Sequence, residues 1–196
     1  MKYILVILIS FLVSGCFVTQ PPITEYMLNV KLPKQNFKSD CKRSIKISKC
    51  FVNAKLKTLN MNYAQGDKKV YMYSQSMWAE LPSEAITAKI VKLLQDKKLF
   101  KIVQTSKSRG ITDLILETNV DDFMQYFDND LKISYAKVSI TFTLIDAKTN
   151  KLIASKNFKS NVMSSSLDAL GGVDALGKAL SNILLENSIW LTKVCR

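Results

Sequence analysis

Three sets of side chains have types that can do chemistry. Ser164, Ser165 and Ser166 form a run of hydroxyls, Asp121, Asp122, Asp128 and Asp130 gather four carboxylates, and Cys16, Cys41, Cys50 and Cys195 are the four thiols of a 196-residue chain. A hydroxyl or thiol attacks a carbonyl when a neighbouring base takes its proton, and close carboxylates relay protons or hold a cation. Those neighbours are missing. The sequence has no histidine, which removes the commonest general base and metal ligand together. No Gly-x-Ser-x-Gly elbow surrounds the serines. The acids lack the glycine and terminal glutamate spacing of a calcium loop, and no glycine-rich phosphate loop or paired-cysteine metal motif is present. The acidic residues read as a solvated turn, and the chain as a non-enzyme without a cofactor or a metal.

Cys16 is different, because its chemistry follows from its position. Lys2 precedes a predominantly apolar stretch, residues 3–13, that ends in the small residues Ser14 and Gly15. Such a stretch is too short to span a bilayer, which takes about 20 residues, and has the order of a secretory signal peptide. Val13-Ser14-Gly15-Cys16 resembles the bacterial lipobox, in which the cysteine sulfur receives a diacylglycerol and cleavage makes that cysteine the first mature residue. The competing reading is an ordinary signal peptide with a cysteine there by coincidence. The expected organisation is a lipoprotein signal peptide over 1–15, a lipidated tether over 16–24 and a single domain over 25–196. Phe17 rather than Asp follows the cysteine, which favours the outer membrane, with the domain facing the periplasm.

An exported chain meets an oxidising compartment, so Cys41, Cys50 and Cys195 can supply one disulfide. Cys41 and Cys50 lie at the two ends of what reads as one extended strand, about 30 Å apart at roughly 3.3 Å per residue, whereas a disulfide needs Cα atoms within about 7 Å. Cys195 is therefore expected to bond one of them, with Cys41 preferred and Cys50 the alternative.

The net charge of +12 is spread along the chain as single lysines. A basic surface attracts phospholipid head groups, or simply keeps an exported protein soluble. No basic motif interleaved with aromatics is present, so nucleic acid is not an expected partner.

The elements that must position these residues follow from periodicity. Residues 23–30 read as a first strand. Residues 43–52 read as a second, with Ile45, Ile47 and Phe51 on one face. Residues 55–69 read as a loop with at most a helical turn, and 70–73 as a short strand. Pro82 and Glu84 suit a helix start, and Ile86, Ile90, Leu93 and Leu94 recur at helical spacing. Strand character returns at 100–104, which makes a strand–helix–strand unit with an expected right-handed crossover. Residues 112–120 and 134–146 alternate apolar and polar, the mark of antiparallel strands with one covered face. Between them 121–131 reads as a hairpin tip with exposed aromatics. Residues 146–151 form a turn and 152–162 the returning strand. After Gly171-Gly172, Leu176, Leu180, Ile183, Leu184 and Leu191 mark a long helix expected to close the sheet. Trp78 reads as a core anchor rather than a ligand-binding residue. The fold class is α/β with α+β character: a mixed sheet with a βαβ unit, an antiparallel hairpin and a long C-terminal helix.

The lipobox, the strand YMLNV and above all YMYSQSMWAELPSEAITAKIVKLLQDKKLFKIV resemble the ABC-type transport auxiliary lipoproteins. In that family an aromatic strand leads into W-A-x-x-P before a helix ending in L-F-x-x-V, and Trp78, Ala79, Pro82, Leu99, Phe100 and Val103 match the pattern, whose role is structural. Cys41, Cys50 and Cys195 lie outside it. The resemblance implies a non-catalytic, periplasm-facing lipoprotein that works with an MCE-domain protein of an ABC system for phospholipid or other apolar molecules, and that can form homo-oligomers. The alternative function is a lipoprotein scaffold or activator of another envelope machine, such as peptidoglycan synthesis, pilus or secretin assembly.

Overall fold

The computed structural model describes residues 21–31, 34, 41–66 and 68–195. Among them nine strands form one mixed sheet, with two α-helices and a short 3-10 helix (Ala54–Lys57). The α/β class expected from the periodicity is the one observed.

The strands are β1 (Thr24–Tyr26), β2 (Ser44–Ile47), β3 (Phe51–Val52), β4 (Asn60–Gln65), β5 (Lys69–Trp78), β6 (Ile102–Thr105), β7 (Leu114–Phe127), β8 (Ser134–Asp146) and β9 (Leu152–Met163); the helices are α1 (Pro82–Asp96) and α2 (Ala169–Val194). β7 is the axis. One of its edges pairs antiparallel with β8, which pairs with β9. Its other edge takes β2, β3 and β4 in succession, all parallel. From there the sheet forks: β2 continues to β6, and β4 continues to β5 and β1.

The expected strand, helix and strand follow one another as β5, α1 and β6. β6, however, finds its parallel neighbour in β2, and β5 lies beyond β4 on the other branch of the fork. Residues 43–52 split into two strands rather than one. Ile45 and Ile47 are buried, but the break at 48–50 reverses the phase, so Cys50 and Val52 are buried and Phe51 faces out. β4 falls in a stretch read as loop. A bulge between Asn60 and Asn62 spoils its alternation, and its pairing with β5 and β7 makes it a strand despite its polar sequence.

The largest departure is at 121–131. β7 runs on to Phe127, because a bulge at Asp121-Asp122 shifts the inward phase from Leu114, Leu116, Thr118 and Val120 to Phe123, Gln125 and Phe127. Phe123 and Phe127 are core residues rather than exposed aromatics, and the turn begins only at Asp128.

α1 starts with Pro82, whose missing N–H costs nothing at the first position. It ends as Lys98 takes a left-handed backbone (φ 49°) and the Leu99 amide donates to the Leu94 carbonyl, which turns Leu99 and Phe100 into the core. α2 is capped by Asp168, whose carboxylate accepts the Gly171 N–H at 2.9 Å, a contribution of about 1 kcal/mol. At about 1.5 Å per residue its 26 residues span about 39 Å. It lies across β8 and β9 and carries Leu176, Leu180, Ile183, Leu184 and Leu191 into one continuous core, as the periodicity predicts. No helix among the described residues is long and apolar enough to cross a membrane.

Candidate functional site

Cys16 lies outside the described residues, and β1 is the first described strand behind it. β1 runs parallel to β5, with Thr24 opposite Ser76 and Tyr26 opposite Trp78. Upstream of Thr24 the chain therefore points toward the start of β5. That end of the domain also holds the β4–β5 turn, the β7–β8 turn and the first turn of α2.

Beneath it lies a buried polar node. Gln125 is almost fully buried on β7. Its Oε1 accepts from the Tyr73 hydroxyl at 2.9 Å, and its Nε2 donates to Ser134 Oγ at 3.0 Å and to the Asp168 carbonyl at 3.3 Å. Gly172 makes this possible: a Cβ there would lie 2.6 Å from Gln125 Cδ. Burial, reinforced by Tyr63 and Asp168, raises the Tyr73 phenol well above its ordinary value and keeps it a neutral donor. Asp168 is held below the usual carboxylate range, first by the Gly171 N–H and then by the Ser166 hydroxyl at 2.6 Å. The node ties β5, β7, β8 and α2 together. No sequence motif announces it; Gly171-Gly172 inside a helix start was the available signal. Beside it a cavity of about 30 Å³, lined by Asn60, Tyr73, Trp78, Asp122, Gln125 and Gly172 among others, is far below the few hundred Å³ of a small-molecule site.

The residues of the W-A-x-x-P and L-F-x-x-V pattern form a joint. Trp78 is buried 6.1 Å from Phe123, ring centre to ring centre, and its backbone N–H donates to the Leu59 carbonyl. The Ala79 N–H donates to the Tyr26 carbonyl, Pro82 opens α1, Leu99 and Phe100 are buried, and Val103 pairs with Ile45 on β2. These six residues fasten α1 to both branches of the fork.

The carboxylates are engaged one by one. Asp121 accepts from Asn119, Thr141 and Asn157. Asp122 accepts from Tyr126 at 2.8 Å and pairs with Lys137 at 3.3 Å. Asp128 caps the Lys132 and Ile133 amides, and Asp130 lies 3.9 Å from Lys132. The acidic residues thus belong to a bulge and a turn rather than to one turn. Among the described residues no group of three or more potential ligands is placed to hold a metal. Ser166 belongs to the α2 cap, and Ser164 Oγ is buried without a hydrogen-bond partner among the described residues. Cys41 and Cys195 are joined, with Cα atoms 5.5 Å apart, clamping the chain before β2 to the end of α2. Cys50 is buried as a free thiol, and burial pushes its pKa up to about 11.

A family model described as the ABC-type transport auxiliary lipoprotein component matches residues 26–186. The chain belongs to this family. Its members are described as auxiliary lipoprotein components of ABC-type transport. Among solved structures, the domain is similar to protein XCC0632 from Xanthomonas campestris at 18% identity and a TM-score of 0.79, covering 87% of this chain and 96% of that one. It is also similar to a protein of unknown function, CT253 from Chlamydia trachomatis, at 9% identity and a TM-score of 0.51, covering 79% of this chain and 98% of that one. Both likenesses establish the fold of the auxiliary lipoprotein domain. No curated protein matches the chain.

Proposed function

We propose that the protein is acylated at Cys16, sits at the inner leaflet of the outer membrane and faces the periplasm. There its domain serves as a non-catalytic docking component of an MCE-type ABC system moving phospholipid or other apolar molecules between the membranes. In this reading residues 1–15 are removed, 16–24 form the tether and the remainder is the docking domain, alone or as a homo-oligomer. The observation that carries the reading is the family match over 26–186 directly behind a lipobox-like 13–16. One feature supports it: the motif residues are spent on packing.

Two measurements test it. Cys16→Ala should leave a folded domain that no longer sediments with membranes, since the acyl chains supply the stable attachment. Envelope crosslinking should recover an MCE-domain protein. Persistent membrane association of the variant, or recovery of peptidoglycan-synthesis, pilus or secretin components instead, refutes the corresponding half.

A further inference from the structure

The end of the domain toward which the tether points is apolar in a way that no single element accounts for. Val70 and Met72 on β5, Leu131 and Ile133 in the β7–β8 turn, and Leu167 and Leu170 at the start of α2 are all exposed, between 41% and 53% of their surfaces. They come from three separate stretches of chain. The pairings put them at one end: Lys69 lies beside Gln65 and Gln65 beside Phe127, Phe127 pairs with Ser134, Tyr135 with Met163, and the first turn of α2 is held by Gln125.

We infer that this end rests on the bilayer in which Cys16 is anchored; the inference stands on the anchor reading above. Four residues lie between Pro21 and Cys16, five steps that reach at most about 18 Å, and β1 enters the sheet from the side of this end. Lys68 and Lys69, in the wall of an open depression that also contains Ile133, and Lys132 beside it place cations at head-group level around an apolar centre, the arrangement of an interfacial surface. The described acids here are turned to other work: Asp128 caps backbone amides, Asp130 lies against Lys132, and Asp168 caps α2. Exposed Ile111 and Leu152 lie at the opposite end, about 39 Å away along α2 and beyond the tether. Because the acyl chains already hold the domain at the surface, this contact sets orientation rather than affinity. The opposite end is then presented to the periplasm.

The test uses the full acylated protein, purified from membranes and reconstituted into phosphatidylethanolamine–phosphatidylglycerol vesicles with brominated acyl chains. Tryptophan is introduced singly as Leu131→Trp, Leu167→Trp and, as control, Ile111→Trp, with the emission of native Trp78 and Trp190 subtracted. The expected result is loss of most of the added emission at 131 and 167 and no loss at 111. Equal quenching at all three positions, or none at 131 and 167 in protein whose mass includes the acyl chains, overturns the inference alone. So does crosslinking of two copies through position 131, which would assign this end to a second copy. A mass without acyl chains overturns the anchor reading and the inference with it.

Discussion

Gly172→Ala isolates the logic of the buried node. In an ordinary helix the exchange stabilises by about 1 kcal/mol, because alanine loses less backbone entropy. Here the new Cβ falls 2.6 Å from Gln125 Cδ and closer still to its Oε1. The carboxamide cannot simply swing aside, since it is almost fully buried and held by Tyr73, Ser134 and the Asp168 carbonyl. Displacing it forfeits up to three hydrogen bonds at about 1 kcal/mol each and leaves buried partners unsatisfied at about 1–3 kcal/mol apiece. Set against the helix gain, the expected net loss is about 2–4 kcal/mol. The same change in a Gln125→Ala background no longer meets the carboxamide, so its sign reverses to a gain of about 1 kcal/mol. Urea unfolding followed by circular dichroism on the four proteins of this cycle, with the disulfide intact, measures both values. An equal cost in both backgrounds would place the strain in the helix itself and refute the account; a gain in the native background would show that the node yields.

Two further outcomes follow from the cysteines. Replacing Cys195 by Ser opens a bridge of sequence separation 154; chain entropy puts the loss at about 5 kcal/mol, read as a fall in urea midpoint, while the mature protein acylated at Cys16 and denatured without reductant should titrate one thiol, that of Cys50. Cys50, held neutral with its pKa pushed up to about 11, should resist iodoacetamide at pH 8 until the protein unfolds. Because that pKa lies above the unfolded value, the associated stability is intact below about pH 9 and fades as the pH rises through about 11, so Cys50→Ala should flatten the alkaline decline.

The parts of this molecule legible in its sequence are those where one physical signal acts alone. β8 alternates because one of its faces packs under α2, and α2 has a stripe because one side of it packs on the sheet. Reading failed where a local irregularity reversed the phase. The bulge at Asp121-Asp122 carried Phe123 and Phe127 inward and made a long strand resemble a turn, and the break at 48–50 turned Phe51 outward. β4 was hidden because its reasons to be a strand lie in β5 and β7 rather than in its own residues. Gln125 escaped notice for a similar cause: a polar residue on an inward position makes sense only once Gly172, Tyr73 and Ser134 surround it. The βα order around α1 was visible, but not which strand β6 would join, because that depends on the fork.

The fork also fixes how force passes through the domain. A chain held at its N-terminus is loaded first through β1, whose three residues pair with the end of β5. A pull along the strand shears those bonds together instead of opening them in turn. From β5 the load passes through β4 to β7, where the other branch and the hairpin share it. The Cys41–Cys195 clamp lies on that other branch, outside the direct line. The joint of Trp78 and Ala79, donating to Leu59 and Tyr26, stands where the load enters, so the residues that mark the family also make the first mechanical link between an anchor and the body it holds.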